Sequence, residues 1–402
     1  MRLTTPPAPA HPSLHPAPAH PSPHHASARP SPQPASASAH PSPPPTLAPE
    51  AVRRAALAAA RDAEAADRDR RLTPEVVAAL TAAGFDRHFV PVADGGRAGS
   101  FADLVEAVAL VGEGCASAAW CAALYAAHGR LAGYLPGPAR REIWGGGGPV
   151  RIAAAVTPPA VEAVATAGGW RLTGTWAPAS GIDSADWVLL SAWAPQPDGT
   201  RDSRLFAVPA GEGTVLDTWH TLGMRGTGSH TLRLDGVDVP EHRTLSRERL
   251  AAAEPAEPGA ARCHALPYPF VAALMFAAPV LGAARGLLAD WTATAPPGSA
   301  EVLTRASAGI RAAGLLLDGA AGRADGDGIT PLAVAENVRD SITATELCTE
   351  AADRLFRAAG SRAHATGDPL QRRWRDIRTA ATHAMLRFDL AAQAYGRAVL
   401  GS

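Results

Sequence analysis

The hydrophobic period of this chain changes twice, and that change constrains the fold more than any other feature. From Glu50 the apolar residues recur at helical spacing, as in Val52, Ala55, Ala56, Ala59 and Ala60, which marks one face of a helix. Across 150–240 the period shortens to that of strands. Runs such as Arg151–Val156, Val188–Trp193, Leu205–Val208 and Thr231–Leu234 are separated by Gly, Pro and Asp turns. From Leu266 the helical period returns and holds to Leu400. The patterning predicts an α+β multidomain chain: an N-terminal helical domain over 49–149, a central β-barrel-like domain over 150–245 and a C-terminal four-helix bundle over 262–402. Pro296-Pro297-Gly298, Gly322–Gly328 and Gly360–Gly367 would break the bundle into helices at about 267–294, 300–321, 331–359 and 369–399.

Residues 1–48 share none of this patterning. They are almost entirely Pro, Ala, Ser and His, they hold 6 of the 14 histidines, and they contain no apolar run. Such a stretch cannot bury a core and is expected to stay disordered or partly polyproline-like. It also lacks the charged start and apolar stretch of a secretory signal. The formal net charge of -1 gives no electrostatic case for nucleic acid or an anionic membrane. All the cationic side chains are arginines, as the chain has no lysine. Cys115, Cys121, Cys263 and Cys348 are scattered without metal-ligand spacing, which fits buried thiols in a reducing cytoplasm and no metal site.

Within the first helical region, Thr73-Pro74 and Ser100-Phe101-Ala102-Asp103 read as helix starts. A later helix, Ser117 to Leu131, carries Trp120, Leu124 and His128 every four residues, with Tyr125 beside them. His128 is then either a hydrogen-bonded core histidine or a group facing a ligand. In the central region Gly169–Ala192 reads as strand, bend and strand. Pro178, Ser180, Gly181, Asp183 and Ser184 break the alternation, so Trp176 and Ser180-Gly181 sit on a constrained bend. The segment Leu222–His230 is glycine-rich but lacks the phosphate-loop pattern. Its glycines permit close backbone approach, while Arg225, Thr227 and Ser229 supply donors. On the last helix Asp376 and His383 are seven apart and share a face, with Thr379 placed to orient the His383 ring. His383 is either packed core or poised for acid/base work near neutral pH.

Together these segments resemble the acyl-CoA dehydrogenase superfamily over about 50–400. The resemblance rests on GTWAPASGIDSADWVLLSA, on LGMRGTGSHTLRLDGVDVP at 222–240 and on GDPLQRRWRDIRTAATH at 367–383. More closely the chain is similar to the branch of two-component flavin-dependent monooxygenases. That branch includes phenol and steroid-phenol hydroxylases, dibenzothiophene oxygenases and amino-sugar N-oxygenases. The carriers are Trp176 with Ser180-Gly181, Trp120 with His128, and Arg375-Asp376 with His383. Where many acyl-CoA dehydrogenases hold a catalytic glutamate, Thr379–His383 has no carboxylate, and Trp291–Ala300 lacks the usual pyrophosphate-gripping arginine.

The resemblance implies a cytoplasmic enzyme that takes reduced FMN or FAD from a separate reductase. With O2 it would hydroxylate a small aromatic, polyketide-like or amine substrate through a C4a-hydroperoxide. Ser180 would donate a hydrogen bond to flavin N5, and His383 would act near the peroxide or substrate. Trp176, Gly181, Arg225, Thr227 and Ser229 would bind the cofactor. Trp120, Tyr125 and His128 would face the substrate, His128 in a catalytic role. A homotetramer is implied, with a neighbouring subunit meeting the far end of the flavin. The competing readings are an oxidase or dehydrogenase of the same fold and a non-catalytic flavin-binding protein.

One expectation needs only the composition. A chain beginning near Ala48 should match the full chain in melting temperature and oligomeric state, since residues 1–48 cannot add to a core. A loss of several degrees on truncation would show that they pack on the body.

Overall fold

A computed structural model describes residues 47–157, 161–196, 198–254 and 259–401. The expectation for the N-terminal stretch falls largely outside these residues, but at its described end it is corrected: Leu47 is 5% exposed and joins the core beside α1. Six helices come first: α1 (Pro49–Arg61), α2 (Ala63–Asp69), α3 (Pro74–Ala83), α4 (Phe101–Gly114), α5 (Ala116–Ala132) and α6 (Gly137–Trp144). Their starts follow the capping signals. The Thr73 hydroxyl accepts from Val76 N–H and the Ser100 hydroxyl from Asp103 N–H.

The strands are β1 (Ile152–Ala155), β2 (Val164–Thr166), β3 (Gly169–Ala179), β4 (Trp187–Pro195), β5 (Arg201–Pro209), β6 (Thr214–Leu216), β7 (His230–Pro240) and β8 (Thr244–Ser246). They form two four-stranded sheets, ordered β1-β4-β5-β8 and β2-β3-β7-β6. One core joins them, with Trp176, Leu172, Val188, Phe206 and Leu232 among its members. The opposite face of the first sheet packs Ile152, Leu189 and Leu205 against Leu131, Tyr134 and Trp144 of the helical region. β1 is therefore buried on both faces, which suits its run of small residues.

Contrary to the turn signal, Pro178 does not end β3. Trp176 pairs with Leu232 and Ala179 with His230, so β3 carries one residue more than β7 between those pairs. That bulge takes up Pro178, which has no ladder proton to give.

The C-terminal region follows α7 (Arg247–Ala251) with α8 (Tyr268–Ala293), α9 (Ala300–Asp325), α10 (Pro331–Ala359), α11 (Pro369–Ala380) and α12 (Phe388–Leu400). Among the described residues α8 is the one helix long and apolar enough to cross a membrane. Yet 83% of its most apolar window is buried inside the protein, so it serves as the bundle core. It approaches α4 closely: a Cβ on Gly282 would lie 2.2 Å from the Ala109 carbonyl oxygen. α9 runs past Gly322 to Asp325, whose carboxylate accepts from Phe101 and Ala102 N–H at 2.7 and 2.8 Å and caps α4.

The expected continuous helix over 369–399 is in fact two, interrupted between Ala380 and Phe388. Local side chains compete with helical bonding there. The Thr382 hydroxyl donates to Thr379 O at 2.7 Å, and the His383 ring accepts from Met385 N–H at 3.2 Å. Asp376 and His383 thus share no helix face, and Thr379 does not orient the ring.

The loop before β7 is locked onto α11. Asp376 is buried and accepts from Met224 N–H at 2.6 Å, and Arg375 donates to Leu222 O. At Gly223 an added Cβ would stand 2.2 Å from the Arg375 carbonyl oxygen, so the close approach serves packing rather than a ligand. Gly223→Ala should therefore lower stability by about 1–3 kcal/mol, the usual scale for overpacking. Gly146→Ala, where no atom lies within 4 Å of the new Cβ, should leave the melting temperature unchanged. Equal melting curves for the two variants would show that the contact is not tight.

Candidate active site

A cavity of about 390 Å³ opens where the helices, the sheets and the interrupted last helix meet. That size is in the usual range for small-ligand sites, roughly 300–1,000 Å³. α5 contributes Trp120, Leu124 and His128, β3 and its bend contribute Ala177, Pro178 and Ser180, and the loop before β7 contributes Met224, Thr227 and Ser229. α8 adds Met275 and Phe276, and the interruption adds Thr382, His383 and Met385. Among the lining residues Arg247 is the one formally charged side chain, and no Asp or Glu is present. A second cavity of about 420 Å³ lies beside β7 between Glu212, Asp235, Asp238 and Arg243. It holds no imidazole or hydroxyl, so the chemistry belongs to the first.

Three ring systems form one wall. His383 stacks on Phe276 at 3.9 Å between centroids, and Trp120 meets both, at 5.0 Å from Phe276 and 5.4 Å from His383. Opposite in character is a row of hydroxyls. Ser180 Oγ lies 2.7 Å from Ser229 Oγ, which lies 2.6 Å from Thr227 Oγ1. The Trp120 indole N–H donates to Ser180 Oγ at 3.3 Å, tying the wall to the row.

The two imidazoles present opposite ends of their hydrogen-bonding capacity. His128 Nδ1 is 2.7 Å from Ile152 O, which can only accept. That nitrogen carries the proton and Nε2 keeps its lone pair. His383 Nδ1 receives Met385 N–H at 3.2 Å, so its proton resides on Nε2. Burial pushes both rings down to about 4 from the ordinary 6.5, which keeps them neutral near pH 7.

Ser180, Thr227, Ser229, Trp120, His128 and His383 therefore converge on one cavity. Four other sequence candidates do not line it. Trp176 is 1% exposed and its indole N–H donates to Ser191 O at 2.8 Å, which makes it the core of the sheet pair. Gly181 adopts φ 74°, and its N–H is taken by Thr227 O at 2.8 Å, joining the bend to the hydroxyl-bearing loop. Arg225 spends its guanidinium on Asp67 O at 2.8 Å and Thr221 O at 3.3 Å. Tyr125 points off the cavity side of α5, towards Gly181, and burial raises its phenol well above the ordinary value.

Phe276 and Met224 were not singled out by the sequence. Phe276 sits in an apolar run where any residue reads as core. Met224 enters through φ 54°, a backbone state no composition signal marks.

The donor set suits a flat, partly polar aromatic ring such as a flavin. The cavity offers an apolar slot, a stacked aromatic wall and one edge of hydroxyls, with no carboxylate to oppose an electron-rich ring.

The chain is similar to several known proteins. Residues 274–388 match the acyl-CoA dehydrogenase C-terminal domain family. The oxygenase subunit HsaA of a flavin-dependent monooxygenase from Rhodococcus jostii is 28% identical over 358 residues, covering 83% of this chain and 92% of that protein. An FADH2-dependent resorcinol hydroxylase oxygenase component from a Rhizobium species is 40% identical over 178 residues, 44% of this chain and 43% of its own length. The structure of XiaF from a Streptomyces species in complex with FADH2 superimposes with a TM-score of 0.79 at 31% identity, covering 88% of this chain and 95% of that one.

The low imidazole values carry a stability signature. Below about 6.5 the unfolded chain protonates His383 while the folded chain does not until about 4, so stability is lost as pH falls through that window. His383→Phe keeps an aromatic ring on Phe276 and removes the penalty. On going from about pH 7 to about pH 5, the variant should gain on the order of 1 kcal/mol relative to wild type in denaturant titrations. A constant difference across that range would mean the ring is not held neutral.

Proposed function

Because the chain belongs to the flavin-dependent monooxygenase branch of the acyl-CoA dehydrogenase superfamily, we propose that the cavity binds reduced FMN or FAD together with a small phenol-type substrate. The chain is then the oxygenase component of a two-component enzyme and receives its flavin from a separate reductase. The observation that carries this reading is a neutral His128 lining the same largely apolar cavity as the hydroxyl row, with its Nδ1 bonded to Ile152 O.

Each residue has a role that follows from its bonding. His128 Nε2, with its lone pair free, accepts the substrate hydroxyl proton in a hydrogen bond. That bond raises electron density at the neighbouring ring carbons, where an electrophilic oxygen attacks. His383 Nε2–H is a donor available to a developing oxyanion. Phe276 and Trp120 hold the His383 ring in place, one stacked on it and the other meeting it edge-on. Leu124, Leu131 and Met275 keep water out, which protects a reactive oxygen donor from hydrolysis. Ser180, Ser229 and Thr227 hold the flavin edge. Bound reduced flavin supplies the electrons that activate O2.

An α-proton-abstracting dehydrogenase of this fold would need a base beside its substrate. Among the described lining residues there is no carboxylate to serve, which disfavours that reading.

The protein is proposed to work in the cytoplasm as a homotetramer. Phe388 and Val399, eleven residues apart and on one face of α12, are 47 and 53% exposed, apolar surface that a neighbouring subunit would cover. Light scattering should return the mass of four chains, and a monomer would overturn the assembly.

The decisive assay mixes the protein with a flavin reductase, NADH, ¹⁸O2 and a panel of small phenols. Product carrying one labelled oxygen is expected, with substrate-dependent O2 uptake. His128→Ala should cut product by on the order of tenfold or more, while flavin oxidation continues as H2O2. Hydrogen peroxide as the sole fate of O2 with every phenol, or dehydrogenation of an acyl substrate instead, would overturn the reading.

A further inference from the structure

The hydroxyl row has a fixed direction, and it runs against the donor role that the sequence suggests for Ser180. Thr227 Oγ1 makes two short oxygen contacts, 2.8 Å to Met224 O and 2.6 Å to Ser229 Oγ. Oxygens this close repel unless a proton lies between them. The carbonyl has no proton to give, so Thr227 must donate its only one to Met224 O. Ser229 must then donate to Thr227. The 2.7 Å contact between Ser229 and Ser180 consequently uses the Ser180 proton. Trp120 Nε1–H can only donate, so its contact consumes one Ser180 lone pair. This is the one assignment that puts a proton in every contact, and it leaves Ser180 with a single free lone pair and no proton to offer.

We infer that Thr227 and Ser229 act as positioning residues that make Ser180 an obligate acceptor, and that this polarity selects the reduced over the oxidised state of the bound flavin. The inference rests on the flavin reading above, with N5 of the ring system against Ser180. The chemistry of N5 supplies the selectivity. In the dihydro form it bears a hydrogen and donates. In the oxidised form it bears only a lone pair, which would face the lone pair of Ser180. The row thus attracts the incoming form of the cofactor and repels the spent one.

Its anchor is a backbone carbonyl. The carbonyl that receives the Thr227 proton belongs to Met224, whose N–H is held by buried Asp376 at 2.6 Å. The same carbonyl accepts from the Trp219 indole at 2.9 Å. The terminal acceptor therefore cannot swing away, and no hydroxyl downstream can reverse unless one contact goes without a proton.

Anaerobic titrations of the full chain with oxidised and with reduced FMN and FAD test this, read as the ratio of the two dissociation constants. Wild type should bind reduced flavin more tightly. Thr227→Val removes the sink for protons, frees the row to reverse and should lower the ratio roughly threefold to tenfold, the scale of one hydrogen bond. Ser229→Ala should lower it likewise by releasing the Ser180 proton, and Thr227→Ser should restore it. A tenfold change corresponds to about 30 mV in the two-electron potential of bound flavin, an independent reading of the same quantity. Packing damage alone would weaken both redox forms and leave the ratio in place.

An unchanged ratio in Thr227→Val and Ser229→Ala, with flavin still bound, overturns the relay. So does an unchanged ratio in Ser180→Ala, because Ser180 would then not face N5. If wild type binds neither flavin in either redox state, the flavin reading itself fails, which separates the two failures.

Discussion

The bond from Met224 N–H to the buried Asp376 carboxylate is the interaction on which the rest of the site depends. It joins the loop before β7 to α11 at 2.6 Å. Burial pushes the Asp376 carboxyl up to about 6, with the backbone N–H pulling the other way. A buried carboxylate is tolerated when hydrogen bonds to its charged form offset desolvation. Here one N–H and the nearby Arg375 offset only part of it, and Arg375 itself bridges to Asp67 of α2 at 3.0 Å. Three regions distant in sequence are thereby fixed to one point, and the hydroxyls of Thr227, Ser229 and Ser180 inherit their positions from it.

The fold was legible because its signals are periodic and additive. The two changes of period located the strands between 152 and 246, and Thr73 and Ser100 capped the helices they announced. Missed were places where one local bond outweighs a pattern. Alanine-rich sequence around 381–387 has every reason to stay helical, yet the Thr382 hydroxyl and the His383 ring each claim a backbone partner and the helix stops. Pro178 signals a turn, but a single extra residue in β3 accommodates it inside the strand.

The site was half legible. Residue types that rarely occur without a reason, such as Ser180, Ser229 and His128, were found at the cavity. Trp176 and Arg225 were equally conspicuous, but their polar atoms are committed to Ser191 and Asp67. Type and spacing identify a group with something to bond; only the partner says whether that something is the protein itself. The direction of hydrogen bonds along the hydroxyl row lies further from the sequence, since it depends on a carbonyl contributed by a residue whose side chain is irrelevant.

The interruption between α11 and α12 has a mechanical consequence. His383 hangs from a segment with few helical bonds, and its orientation is set within a few residues by Met385 N–H and by the face of Phe276. A rigid rod would carry any bending of the bundle straight to the imidazole. With the helical ladder interrupted, no continuous rod links α12 to the ring, which takes its register from the helix at the centre of the protein.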